Sequence, residues 1–171
     1  LYFLTNWLPI ITSDAGLTVR EAILATAMFQ IGGTVGALAI GRLADSFGLQ
    51  RILGMALLCA AAFIAAMGSM GKSFFILDAL AFGAGFCVVG GQIGANALAG
   101  TFYPPPMRST GVGWALGIGR FGAVVGPLIG GALLHAKVPT GELFLAGAVP
   151  SICAALAIIA MAMASKTRRP A

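Results

Sequence analysis

The sequence predicts an all-α, polytopic membrane bundle of six transmembrane helices, the first of them cut short, and three observations carry that expectation. Only 9% of the 171 residues are charged and 59% are hydrophobic, against about 25% and about 45–50% in a soluble globular chain. Mean hydropathy is +0.99, which leaves too little polar surface to clothe a compact soluble fold. The apolar residues also fall into runs of about 20, the helix length that crosses a hydrocarbon core ~30 Å thick. Lipid is the natural solvent of this chain, and a soluble enzyme is excluded.

Span A, Leu1–Thr12, reaches only about 18 Å as helix, too short to cross. With no initiator Met and no basic segment ahead of an apolar stretch, it does not read as a signal peptide. More chain is therefore expected upstream, and the sequence reads as the C-terminal part of a longer protein. Span B, about Arg20–Leu43, carries Thr26, Gln30 and Thr34 at i, i+4 and i+8, a row suited to hydrogen bonding between helices. Span C is Ile52–Gly71. Span D, Ser73–Phe102, places Asp78, Gly85, Gln92, Asn96 and Tyr103 within about 40° of one another at 100° per residue. Span E is Thr110–His135 and span F is Glu142–Ala164, with a tail over 165–171. Ser13-Asp14-Ala15-Gly16, Pro104-Pro105-Pro106 and Pro139-Thr140-Gly141 read as breakers between helices. The gaps leave no room for a soluble domain, so residues 1–171 are expected to form one bundle.

Ten Lys and Arg against five Asp and Glu stand singly between spans rather than on one face, which argues against nucleic acid as a partner. Arg42, Arg51, Arg108, Lys166, Arg168 and Arg169 fall on one side of the membrane, and Arg20, Lys72 and Lys137 on the other. The richer side is cytoplasmic by the positive-inside rule, which puts the C-terminus inside. Cys59, Cys87 and Cys153 lie singly in apolar runs, without disulfide or metal spacing, and read as packing residues.

In lipid, helices are held by close approach, so small residues at i and i+4 mark contact faces. Gly113, Gly117, Gly122, Gly126 and Gly130 give span E this character, and Pro127 permits a bend. The run from Gly122 through Gly126-Pro127 to Gly130-Gly131 is similar to a glycine-proline motif of the major facilitator superfamily. The loop Gly41-Arg42-Leu43-Ala44-Asp45-Ser46-Phe47-Gly48 resembles that superfamily's cytoplasmic loop, with Ser46 where a basic residue is usual. Gly90-Gly91-Gln92 through Asn96, Tyr103-Pro104 with Arg108 following, Thr110 through Gly122, and Tyr2 through Pro9 resemble the aromatic acid:proton symporter family. The resemblance covers essentially the whole chain, as helices seven to twelve of a twelve-helix carrier. It implies alternating access, a substrate site near the midplane, and importance of Arg108 and Arg120 for transport. It also implies that the acidic motif for proton coupling belongs to an N-terminal half.

Arg120 is the sharpest polar feature. Near the middle of the membrane an arginine costs at least about 2.5–3.5 kcal/mol unless it is paired or borders a pathway. Gly113, Pro127 and Gly131 share its side of the helix, which predicts a packed side rather than lipid. It reads as a bidentate clamp for a substrate carboxylate, or as a structural partner of an acid outside this chain. Gln92 is nearly level with it and is the expected partner of Arg120 or of its ligand. Gln92 and Asn96 read as substrate contacts or as interhelical hydrogen-bonding groups. Tyr2 and Trp7 read as stacking residues for a planar ligand, with interfacial belts as the alternative for such aromatics. Asp78 is the acid clearly within a span, and it is read with Asp45 and Arg108 as a proton or gating group. His135 reads as an interfacial residue.

The expected function is that of the C-terminal half of a secondary active transporter in the inner membrane. It would take up an aromatic or other small organic acid with a proton, against an N-terminal half of the same carrier. No cofactor, metal or catalytic constellation is expected. A carrier of another metabolite and a non-transporting scaffold remain the rival readings, and a membrane-embedded enzyme lacks the convergent acids, His or Cys it would need.

Overall fold

The computed structural model describes residues 4–6, 18–69 and 74–167. Residues 4–6 are helical, and five long helices follow: α1 (Val19–Phe47), α2 (Leu49–Ser69), α3 (Phe74–Phe102), α4 (Arg108–His135) and α5 (Thr140–Thr167). Each of the five is long and apolar enough to cross a membrane, and no strand occurs among the described residues. Span A falls mostly outside them, as do Tyr2, Trp7, Ser13–Gly16 and the tail cations Arg168 and Arg169.

Helix ends follow local chemistry. Thr18 and Glu21 close a capping box at the start of α1: the Thr18 amide donates to Glu21 Oε2 at 2.8 Å and the Glu21 amide to Thr18 Oγ1 at 3.4 Å, so two orphan donors are satisfied reciprocally. At the other end Gly48 takes φ 91° and its amide donates to the Ala44 carbonyl at 2.9 Å, a left-handed stop that glycine makes without a Cβ clash. Pro105–Met107 form one 3-10 turn before α4. Thr140 and Gly141, expected to break the chain, instead open α5, because Pro139 supplies the break ahead of them.

Helices α1 and α3 run parallel and interlock. A Cβ on Gly32 would strike the Phe82 carbonyl, one on Gly36 the Phe86 carbonyl, and one on Gly85 the Phe29 carbonyl. Backbone thus meets backbone, the arrangement that small residues permit in lipid. Helix α2 runs antiparallel to α3, with Gly83 against Phe63 and Gly91 against Leu57, and antiparallel to α5, with Gly54 against Ile159 and Gly68 against Gly141. Phe29, Leu53, Ile64 and Phe144 are the largest fully buried side chains. Cys87 is buried with them, whereas Cys59 and Cys153 are exposed, so packing explains only the first.

Helix α4 behaves differently. Gly130 is its one buried residue, and Leu133 and Leu134 near its end lean on the core formed by the other helices. Trp114 and Phe121 are 70% and 73% exposed, as aromatic residues facing lipid or a further protein surface would be.

Candidate functional site

Between α4 and helices α2, α3 and α5 lies a cavity of about 600 Å³, within the ~300–1,000 Å³ of small-molecule sites. Helix α4 supplies Ala115, Gly119, Gly122, Gly126 and Ile129; on a 100° wheel these form one stripe. Its glycines keep that wall thin. The opposite walls are apolar where Leu57, Ile64, Val88 and Ile158 meet the cavity. Polar groups enter from α3 as Gln92 and Asn96 and from α5 as Ser151, and none of the described lining residues is charged.

Gln92 and Asn96 therefore border one cavity, as the shared face of span D predicts. That face is not uniform. Gly85, on the same stripe, is buried against the Phe29 backbone, and only the part of α3 beyond this contact opens into the void. Asp78 lies about 6 Å along α3 from its start and does not line the cavity. It is half-buried, and its Oδ1 is buried without a hydrogen-bond partner, an exception that calls for an explanation in any native fold.

Arg120 is exposed and absent from the cavity wall. It stands about 160° around α4 from Gly122, on the face that carries Gly113, Pro127 and Gly131. The shared face is as expected, but among the described residues it is not a packed side: a Cβ at Gly113 or Gly117 would meet nothing within 4 Å. Gln92 and Arg120 are separated by the body of α4 and do not converge on one ligand. Gly122 and Gly126, from the same packing row, line the cavity instead, Pro127 is half-buried within α4, and Gly130 alone of the row is buried.

The row on α1 resolves differently from its sequence pattern. Thr26 Oγ1 donates to the Ala22 carbonyl at 2.9 Å and Thr34 Oγ1 to the Gln30 carbonyl at 3.1 Å, so both hydroxyls are used by their own helix rather than across to another. Asp45 is exposed in the last turn of α1 and Arg108 is exposed at the first residue of α4; the Arg108 Nε–H donates to the Tyr103 carbonyl at 3.4 Å. An acid at a helix C-terminus and a cation at an N-terminus oppose the helix dipole by about 0.3–1 kcal/mol each, so neither serves its own helix. His135 is exposed in the last turn of α4, where a cation is favoured.

Ser151 and its neighbour Pro150 escaped the sequence reading. The signal was available: Ser151 is the only hydroxyl in span F, and it follows a proline inside an apolar run. Among the described residues no group of His, Cys, Asp and Glu could hold a metal.

The whole chain, residues 1–171, matches the family model for the Major Facilitator Superfamily. Among curated proteins it is 39% identical to a gallate transporter of Pseudomonas putida over all of this chain and 38% of that protein. It is 36% identical to the 4-hydroxybenzoate transporter PcaK of Pseudomonas aeruginosa over 96% of this chain and 37% of that protein. It is also 36% identical to a benzoate transport protein of Acinetobacter baylyi over 89% of this chain and 32% of that protein. The chain thus spans a little over a third of the length of the first two relatives, and about a third of the third.

Proposed function

Because this chain belongs to the Major Facilitator Superfamily, we propose that it is the C-terminal half of a carrier that takes up small aromatic acids with a proton, in the inner membrane, by alternating access. The relatives named for gallate, 4-hydroxybenzoate and benzoate support the substrate class. The structural observation that carries the reading is the cavity with Gln92 and Asn96 on its wall, about 15 Å and about 9 Å from the nearer end of α3. An amide pair is tolerated at that depth where it borders a void. The single bundle of residues 1–171, with its C-terminus in the cytoplasm, is one half, and its partner is the N-terminal half of the same protein.

Within this reading Gln92 and Asn96 contact the substrate, and Tyr2 and Trp7 supply stacking surface. Arg120 presents its guanidinium on the outer side of α4, toward the second half, where its fork holds a carboxylate of that half rather than the ligand beside Gln92. Asp78, whose buried Oδ1 lacks a partner, is the proton or gating acid of this half. Asp45 and Arg108, both against their helix dipoles, latch the cytoplasmic side.

Uptake of radiolabelled aromatic acids by the full-length carrier, with and without an uncoupler, tests the whole. Saturable uptake abolished by the uncoupler is expected, and saturable uptake of sugars or cationic drugs instead would sink the substrate class. Arg120→Lys is expected to reduce aromatic-acid uptake at least tenfold, because a lysine cannot make the bidentate fork; full uptake by that variant would remove the clamp.

A further inference from the structure

The cavity is lined on its α5 side by Ala146, Gly147, Pro150 and Ser151. Pro150 lies inside the helix and has no N–H to donate to the Ala146 carbonyl one turn earlier. The Ala146 carbonyl therefore loses its helical donor, and one residue past the proline Ser151 brings a hydroxyl to the same wall. In lipid such a break is tolerated where it lines a cavity and another group completes the hydrogen bonding. Across the void, Gln92 and Asn96 offer amide donors and acceptors.

This set of groups suits one part of an aromatic acid and not the other. A carboxylate accepts only; it cannot satisfy a bare carbonyl, and it would be desolvated here without a cation, since none of the described lining residues is charged. A ring hydroxyl donates and accepts, so it can give its proton to the Ala146 carbonyl or the Ser151 hydroxyl and receive one from an amide. Leu57, Ile64, Val88 and Ile158 then enclose the ring.

We propose that Ser151, with the proline-freed Ala146 carbonyl beside it, is a specificity determinant that recognises a ring hydroxyl of the substrate, leaving the carboxylate outside this cavity. The proposal rests on the aromatic-acid reading above. The assignment concerns the hydroxyl edge of the substrate alone, because the described lining of this cavity offers a carboxylate no cation.

The test measures uptake of radiolabelled 4-hydroxybenzoate, and competition against it by unlabelled benzoate, in cells carrying the full-length transporter, with the amount of carrier in the membrane quantified. Ser151→Ala is expected to raise the KM for 4-hydroxybenzoate about fivefold, the scale of one neutral hydrogen bond of ~1 kcal/mol, while the inhibition constant of benzoate changes less than twofold. Ser151→Thr, which keeps the hydroxyl, is expected to restore most of the wild-type KM. An equal shift for both compounds, or none for either, overturns the assignment while uptake itself persists. A wild-type carrier that takes up neither compound overturns the aromatic-acid reading and this assignment with it.

Discussion

Helices α1 and α3 on one side, and α4 on the other, carry the same kind of signal and use it in opposite ways. Gly32, Gly36 and Gly85 each lie where a single added carbon would strike a backbone carbonyl, so the two helices sit as near as main chains allow. Gly113, Gly117, Gly119 and Gly122 on α4 are just as regularly placed, and a carbon added to any of them meets nothing within 4 Å. Glycine spacing therefore records a capacity for close approach, and whether another helix of the chain fills it depends on geometry elsewhere. In α4 the capacity is spent on a thin cavity wall on one face and an open surface on the other.

The largest expected effect comes from applying one change to both regions. In the full-length carrier Gly36→Leu is expected to lose upwards of about 3 kcal/mol, the upper range of overpacking, because the obstacle is main chain and no side chain can swing aside. Monodisperse protein in a thermal-stability assay would fall sharply. Gly117→Leu should leave the melting temperature within a few degrees of wild type. If Gly117→Leu proves as damaging as Gly36→Leu, the α4 row closes against a helix from outside this chain, and the contrast belongs to this half alone. A smaller effect, confined to transport, is expected of Gln92→Leu: uptake efficiency falls about tenfold, or ~1.4 kcal/mol, with the melting temperature unchanged. Parallel loss of stability would show the amide to be helix glue instead. The smallest is Gly113→Ala, which should stabilise α4 by about 0.5–1 kcal/mol, because alanine gives up less backbone freedom in a helix.

Much of the fold was legible because lipid imposes a simple rule. A run of about 20 apolar residues is a helix, and the structure places five helices on five such runs, with ends shifted where caps intervene. Glycine gave the wrong emphasis: span E has the denser row, yet the tight approaches involve Gly32, Gly36 and Gly85, whose partners are carbonyls of Phe82, Phe86 and Phe29 that no spacing rule reveals. For the site, the period of span D put Gln92 and Asn96 together correctly, since a helix wheel is a local property. The expected meeting of Gln92 with Arg120 needed the relative rotation of two helices, which depends on packing between distant segments. Ser151 was missed because a lone serine in an apolar run carries no periodic signal. Its role emerges only with Pro150 beside it and a void in front.

The two attachments of α4 have a mechanical meaning. At one end Tyr103 covers Gly111 beside the proline-rich turn. At the other, Lys137 takes a left-handed φ of 54° in the short joint to α5, and Leu133 and Leu134 anchor the final turn. Between these anchors the helix touches little, like a bowstring held at its nocks. Flexing it outward or rolling it about its long axis changes the volume beside Gln92 without parting any of the contacts that join α1, α2, α3 and α5. With so little packed against its middle, such a helix can be displaced either way while the rest of the bundle keeps its shape.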